Sequence, residues 1–589
     1  MFERERQAIE TQLKAYLAEQ GVPFTEDFKW SNIPFSGEWG IATSFFQAAA
    51  AEARAGKKVV VPVRAQELAD GAARAIGLPD GFSRVEAVKG YLNLYFNTAT
   101  YSQRVVDTVL AAGDEFGRGA PKGKRIMVEF SQPNTHKAMH VGHLRNMMLG
   151  AALANILEFA GWDVVRANYI GDFGKDVLKW VWNFRKRHAG ERPPAEDVTR
   201  WMGDLYAEST TNLENDPDGD KEIEDLFHRW EAGDEEVVGL WRETRQWSLD
   251  GFSQVYDLMG IHFDRIYFES ECEKPGKEYV EELVKRGIAI DERPAGPVIV
   301  KIDDLLGLEK EDYRVLVILR SDDTALYATW DLVLAQRKFK DYPDLETSLY
   351  VVDVRQSQHF RQVFKVLELA GVDEIKKAAH LPYEIVNLPG NITMSSREGT
   401  VVLLEDFIRE AVSRARQVSE ESNPELDAKT RDEVAWAVGL GSIKYPLIAR
   451  DHSKIATFDW ESALDFNGQA SPYIQYAHVR ANSILRKAGG AVPAPVAPTH
   501  LLDPKEVALI ELLADFPAAV QRAADEWRTL QITNHAFELA KAFSEFYNAC
   551  PVLNAEPAVR DFRLRLVAAA RPALANALRL LGIQAPPVM

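Results

Sequence analysis

Two cysteines in 589 residues are too few for a disulfide framework or a cysteine-rich zinc site. Uninterrupted apolar runs are short as well, and none approaches the roughly 18 residues a membrane span requires. The opening Met1-Phe2-Glu3-Arg4-Glu5-Arg6 is charged at once and has no apolar stretch of the signal-peptide kind. No fixed-period repeat marks a solenoid. Positive charge is in deficit: the formal net charge is −19, which argues against a basic surface along the whole chain. Together these absences predict a soluble cytoplasmic protein with no structural zinc and no membrane partner.

What is present is an ordinary globular composition, 46% apolar and 27% charged, which excludes a disordered or low-complexity chain. The length suggests about three or four domains. The acidity is local. Residues 190–238 carry 16 acids and 4 bases, whereas 471–589 carry 12 bases and 10 acids. Nucleic-acid binding depends on local charge, so the near-neutral C-terminal fifth stays open to it.

Three stretches follow one another. Residues 1–118 read as an α+β unit, with a helix over Ile9–Ala18, a strand over Lys58–Val63 and a strand alternating with period two over Gly90–Phe96. A Gly-, Pro- and Lys-rich linker, Phe116–Lys124, closes it. Residues 119–403 then open with a strand over Arg125–Phe130, a Ser-Gln-Pro-Asn turn, a long helix over His140–Phe159, a Gly-Trp break and a strand from Asp163. Strand, helix, strand in that order is a βαβ unit and implies a parallel sheet. Val315–Leu319 and Leu349–Val354 are further buried-strand candidates, and the acidic segment near 190–240 is a helical insertion with a solvated surface. From 404 to 589 helical periodicity dominates, broken by the Pro-rich loop Ala491–Pro498.

Chemistry concentrates in His140-Val141-Gly142-His143, where the first strand's loop meets its helix. A helix N-terminus offers free N–H groups and a positive dipole end, which suit phosphate. His140 and His143 can donate to an anionic transition state, and Gly142 would let an adenine ring lie against the backbone. Read alone, two histidines three apart are more often surface residues than catalysts. No set of residues suggests a metal site.

The wider segment Val128-Glu129-Phe130-Ser131-Gln132-Pro133-Asn134-Thr135-His136-Lys137-Ala138-Met139-His140-Val141-Gly142-His143 resembles the nucleotide-binding segment of class I aminoacyl-tRNA synthetases, in the wording of the arginyl-tRNA synthetases. Asn168–Gly174, Ser321–Asp331 and Ser471–Arg480 resemble three more of that family's segments. The likeness runs from Gly90 to Met589. It implies a multidomain α/β plus all-α architecture: an N-terminal tRNA-contacting α+β domain over 1–118, a Rossmann-like parallel-sheet catalytic domain over 119–403, and a C-terminal helical-bundle anticodon-binding domain over 404–589.

The implied reaction is ATP-dependent ligation of L-arginine to the 3′ end of tRNA(Arg) through an arginyl-adenylate, with release of AMP and pyrophosphate. ATP would be a substrate accompanied by Mg²⁺, and the chain a monomer. The family's second nucleotide loop, with two lysines, corresponds here to Thr393-Met394-Ser395-Ser396-Arg397-Glu398-Gly399, where both lysines are absent. The resemblance implies that Lys137 compensates. ATP would then meet His140, Gly142, His143, Lys137, Met394, Ser395, Ser396 and Arg397, with His140, His143 and Lys137 catalytic.

A guanidinium has five donors in a planar fork and demands carboxylates. Carried over residue by residue, the family's pocket puts Glu269, Tyr327 and Asp331 around it, and Asn134 and Gln356 near the amino-acid backbone groups. Glu129 is a further candidate for the α-ammonium. Tyr327 and Asp331 lie four apart, on one face of a helix. Gln132 stands where the family often has serine and Phe268 where glycine is usual, and Glu271 rivals Glu269. Tyr473, Gln475, Tyr476 and Arg480 are candidates for stacking on and bonding to tRNA anticodon bases; read without the family they would be a helix-packing stripe. A small-molecule nucleotidyltransferase sharing H-x-G-H would not need the long helical C-terminal part. A cysteine-specific synthetase would need zinc-binding cysteines, and a non-catalytic relative would be expected to lose the histidines or the pocket carboxylates.

Overall fold

Five strands, Ala378–Tyr383, Leu345–Asp353, Arg125–Glu129, Asp163–Ile170 and Arg265–Phe268, hydrogen-bond in that order as an all-parallel sheet in the computed structural model, which describes residues 3–309, 311–389, 392–393 and 402–589. The first strand in sequence is central and is buried from Ile126 to Glu129, the pattern of a strand covered on both faces. The chain lays its next two strands to one side and the last two to the other. The order therefore reverses beside Arg125–Glu129, and in such sheets ligands bind beyond the strand C-termini at the reversal. The helix Val141–Phe159 is buried almost all round: most of its residues are apolar, and Arg145 and Asn146 are buried as well.

Helices Lys175–Arg187, Val198–Glu214, Gly219–Glu231 and Glu235–Met259 form the acidic insertion. It is more than a solvated surface. Trp180, Phe184, Met202 and Leu205 make one apolar cluster, and Leu178, Trp182, Ile223, Leu226 and Val237 another. Val315–Leu319 is a strand, but it pairs antiparallel with Val298–Lys301 in a small separate sheet.

By chain contacts the protein divides into two units, Met1–Phe116 with Ala477–Ala518 and Glu538–Asn576, and Gly117–Tyr476 with Ala519–Phe537 and Ala577–Met589. The first contains a four-stranded antiparallel sheet in the order Trp30–Ile33, Gly40–Ser44, Tyr91–Phe96, Phe82–Val88. The expected strand over Lys58–Val63 is corrected: a helix, Val61–Ile76, starts there instead. Pro62 sits in its first turn, where proline's missing N–H costs nothing and its fixed φ suits a helix. Val60 and Val63 are left 67% and 57% exposed, so the apolar run marks no core strand. After Leu404 the described elements are helices apart from the two-residue strand Ala456–Thr457.

Candidate active site

The loop leaving strand Arg125–Glu129 carries three non-glycine residues with positive φ, Ser131 (79°), Gln132 (50°) and His136 (63°). Such conformations cost free energy and persist where surrounding structure over-determines them. Here the Ser131 N–H donates to Asn146 Oδ1 at 2.6 Å and the Gln132 N–H to Asn168 Oδ1 at 3.0 Å. The His136 N–H donates to Ser248 Oγ at 2.9 Å, and its ring nitrogens meet Thr135 and Thr244 hydroxyls at 2.9 Å. Burial drives the His136 pKa down to about 3, so this imidazole is a neutral strut.

His140 caps the helix that follows. Its Nδ1 accepts the Gly142 N–H at 3.1 Å, while its own N–H donates to His143 Nδ1 at 3.2 Å. Both Nδ1 atoms are thus acceptors, which leaves each neutral ring its proton on Nε2. Burial lowers the His140 pKa; burial and then the charge of His140 push His143 further down. The rings lie 4.0 Å apart. A Cβ on Gly142 would come within 2.7 Å of the His140 ring, so glycine here makes room for the imidazole. Val402 and Leu404 pair with this motif: Val141 N–H donates to Val402 O at 3.3 Å and Leu404 N–H to Met139 O at 3.1 Å. Met394, Ser395, Ser396 and Arg397 lie outside the described residues.

A cavity of about 230 Å³ opens beside the loop and is lined by Asn134, Lys137, Gly171, Glu269, Tyr327 and Trp330, among others. Glu269 is nearly buried, and among the described residues no side-chain donor reaches its carboxylate. Burial, then the charges of Asp172 and Asp331, push its pKa up to about 8. Asp172 holds this turn in place, accepting the Ser270 N–H and hydroxyl at 2.8 and 2.7 Å. Glu271 is no rival, since it is turned to Arg337 at 2.7 Å. A Cβ on Gly171 would meet Asn134 Oδ1 at 2.1 Å and Glu269 Oε2 at 3.2 Å, filling the gap between them. Lys137 Nζ lies 2.7 Å from Asp176 Oδ2 and over the Tyr206 ring. Its burial works against the charge, but the Asp176 hydrogen bond prevails and its pKa is raised.

Three expected arginine contacts stand apart from this cavity wall. Glu129 is buried and faces inward, its Oε2 2.5 Å from the fully buried Lys338 Nζ and its Oε1 accepting from Gln132 Nε2 at 2.9 Å. Asp331 shares the helix Tyr327–Asp341 with Tyr327, and its Oδ2 is 2.5 Å from His359 Nε2. Gln356 is exposed at the start of helix Ser357–Leu369. Tyr327 is 69% exposed and packs edge-on against Trp330.

Residues 105–460 match the family profile described as tRNA synthetases class I (R), catalytic domain, and residues 474–589 match the DALR anticodon binding domain. The chain belongs to the class I arginyl-tRNA synthetases. It is 35% identical to the arginine–tRNA ligase of Clostridium perfringens over 86% of this chain and 87% of that one. To the arginine–tRNA ligase of Bdellovibrio bacteriovorus it is 34% identical, over 85% and 86%. The structure of Thermus thermophilus arginyl-tRNA synthetase superposes with a TM-score of 0.76 at 29% identity, covering 99% of this chain and 100% of that one. The α/β plus all-α architecture is that of an arginyl-tRNA synthetase.

In the anticodon-domain segment one expectation is corrected. Gln475 is fully buried, with its amide donating to Ala437 O at 3.0 Å and Gln584 O at 2.8 Å, so it has no donor left for a base. Tyr473 is half-buried against Phe537. Tyr476 is exposed, and the Arg480 guanidinium lies 4.8 Å over the Tyr547 ring. Reading the residues alone missed Asp172, Lys338 and His359, because a charged side chain under a helix gives no sequence signal when its partner comes from a distant element.

Proposed function

We propose the following division of labour for the arginine–tRNA ligase reaction of this synthetase. ATP lies with its phosphates at the N-terminus of helix Val141–Phe159, where the Nε2–H groups of His140 and His143 donate to the transferring and departing phosphates. Lys137 supplies the compact positive charge that the lysine-free Met394–Arg397 segment lacks. Arginine enters the cavity with its guanidinium toward Glu269 and Tyr327, reaching past the cavity wall toward Asp331 one helical turn on from Tyr327, and its α-carboxylate toward the ATP α-phosphate. That carboxylate attacks the phosphorus in line, the bond to pyrophosphate breaks, and arginyl-adenylate remains. A ribose 2′-hydroxyl of the terminal tRNA adenosine then attacks the arginyl carbonyl and releases AMP. Positioning and electrostatics do most of this work, since the protein forms no covalent bond. Mg²⁺ arrives with ATP as part of that substrate.

The observation that carries the reading is the Glu269 carboxylate: nearly buried, without a partner among the described residues, and lining the cavity beside Lys137. A carboxylate in that state awaits a cation. Tyr476, Arg480 and Tyr547 are our candidates for tRNA contact, and a monomer suffices for the reaction. Arginine titration of Glu269→Gln tests the pocket: binding that survives unchanged sinks it.

A further inference from the structure

Tyr169 is the penultimate residue of strand Asp163–Ile170 and falls in the family-like segment Asn168–Gly174, where it was given no role. Side chains alternate along a strand, so the sheet register decides its neighbours. Glu129 pairs with Ala167, Tyr169 with Tyr267, and Glu269 follows Tyr267 by two. Glu129, Ala167, Tyr169 and Tyr267 therefore share one face, and Glu269 stands in the turn just beyond the end of the last strand. The helix Tyr327–Asp341 covers that face, bringing Lys338 onto Glu129 and Asp331 above.

The Tyr169 hydroxyl is shut off from solvent and has no hydrogen-bond partner among the described residues. Burial, and the charges of Asp331, Glu269 and Glu129 around it, hold it protonated, far above the ordinary tyrosine range. No carboxylate oxygen comes within bonding distance of it, so a gap separates the hydroxyl from the acids it faces. Glu129 is spent on Lys338 and Gln132, and Asp331 Oδ2 on His359. Among the described residues the acids around the hydroxyl are acceptors, and of the three Glu269 is the one whose carboxyl no side-chain donor reaches.

We infer that Tyr169 is a substrate-contacting specificity residue whose hydroxyl oxygen accepts an N–H of the arginine guanidinium. This rests on the arginine-pocket reading above and adds to it a residue on the sheet floor. A planar group with five N–H donors spans an acceptor hydroxyl and flanking carboxylates; the hydroxyl's own proton is then free to donate to one of those carboxylates. A neutral isostere such as citrulline presents a carbonyl oxygen in place of a donor and would face acceptors with an acceptor.

The test is Tyr169→Phe, with arginine affinity by titration, steady-state KM for arginine and for ATP, and Tm of the free enzyme. Arginine affinity should fall roughly tenfold or more, the ATP KM should hold, and Tm should stay level or rise, because the free enzyme loses an unpaired buried hydroxyl. Glu269→Gln is run beside it. If Glu269→Gln abolishes arginine binding while Tyr169→Phe binds as the parent does, the Tyr169 assignment is overturned and the pocket stands. If Glu269→Gln binds arginine normally, the pocket reading itself fails. A fall in Tm with unchanged arginine affinity would make the hydroxyl structural and also overturn the proposal.

Discussion

The His140 N–H donates to the Nδ1 of His143, and His140 Nδ1 takes the N–H of Gly142. Each imidazole is thereby held in one tautomer with Nε2–H outward, which makes the pair a preset couple of neutral donors. Removing a preorganised donor of this kind typically costs roughly 10²–10³ in rate. His140→Ala and His143→Ala should each slow single-turnover adenylate formation by that order and leave arginine affinity near normal. Gln can present an N–H near the Nε2 position and Asn cannot, so His143→Gln should outperform His143→Asn. Equal rates for all four variants and the parent would take the motif out of the mechanism.

Glu269 gives a pH signature. Burial, then the charges of Asp172 and Asp331, push its pKa up to about 8, and on the proposed reading the guanidinium would bind the ionised form. Arginine binding near neutral pH must then release a proton, and affinity should rise with pH until about 8 and level off above. Calorimetry in buffers of different ionisation enthalpy reads the proton directly. The stability sign is opposite to that of an ion-paired acid: the unfolded carboxyl ionises near 4.5 while the folded one keeps its proton, so stability falls as pH climbs from there to about 8. Glu269→Gln should raise the free enzyme's Tm at pH 8 and abolish the pH dependence of arginine affinity. A flat affinity profile from pH 6 to 9 in the parent would refute the shift.

Lys338 and Glu129 form a fully buried pair at 2.5 Å, with the Lys338 ammonium also 3.5 Å from the centre of the Tyr350 ring. Removing one partner strands the other charge, which typically costs about 3–5 kcal/mol. Lys338→Met should destabilise the sheet unit strongly, and adding Glu129→Gln should restore much of the loss. Denaturant titration of both singles and the double gives the coupling, and strictly additive losses would mean the pair is not interacting.

The strand–loop–helix that carries His140 and His143 was legible from residue order alone, because a buried parallel strand reads as an unbroken apolar run and His140 marks the helix start. Tyr327 and Asp331 were legible as one helix face. Lys338 was not: a lysine on an amphipathic helix reads as solvated until Glu129, more than two hundred residues earlier, is brought beneath it. Tyr169 lay within the family-like segment Asn168–Gly174 but carried no role there, since alternation tells which residues share a face but not what covers that face. Gln475 failed for the converse reason. Its polarity suggested base reading, whereas tertiary packing spent its amide on the carbonyls of Ala437 and Gln584.

Lys137 tests whether the phosphate charge comes from the first motif. In the free protein its ammonium is parked 2.7 Å from Asp176, within the cavity wall that also contains Glu269. Backbone bonds from Val141 to Val402 and from Leu404 to Met139 join residues 402–404 to the same motif. On the proposed reading an incoming triphosphate would compete with Asp176 for the lysine. Asp176→Asn should therefore lower the ATP KM, both by freeing the ammonium and by removing a like charge. Lys137→Ala should slow adenylate formation far more than Arg397→Ala, with little change in arginine affinity. Lys137→Arg should recover part of the rate, because a planar fork replaces a compact point charge imperfectly. Introducing Ser396→Lys into the Lys137→Ala enzyme should rescue it in part if the two positions face the same phosphates. The reverse ranking, with Arg397→Ala the more damaging change, would move the cation's role to the second segment and leave Lys137 as the partner of Asp176 alone.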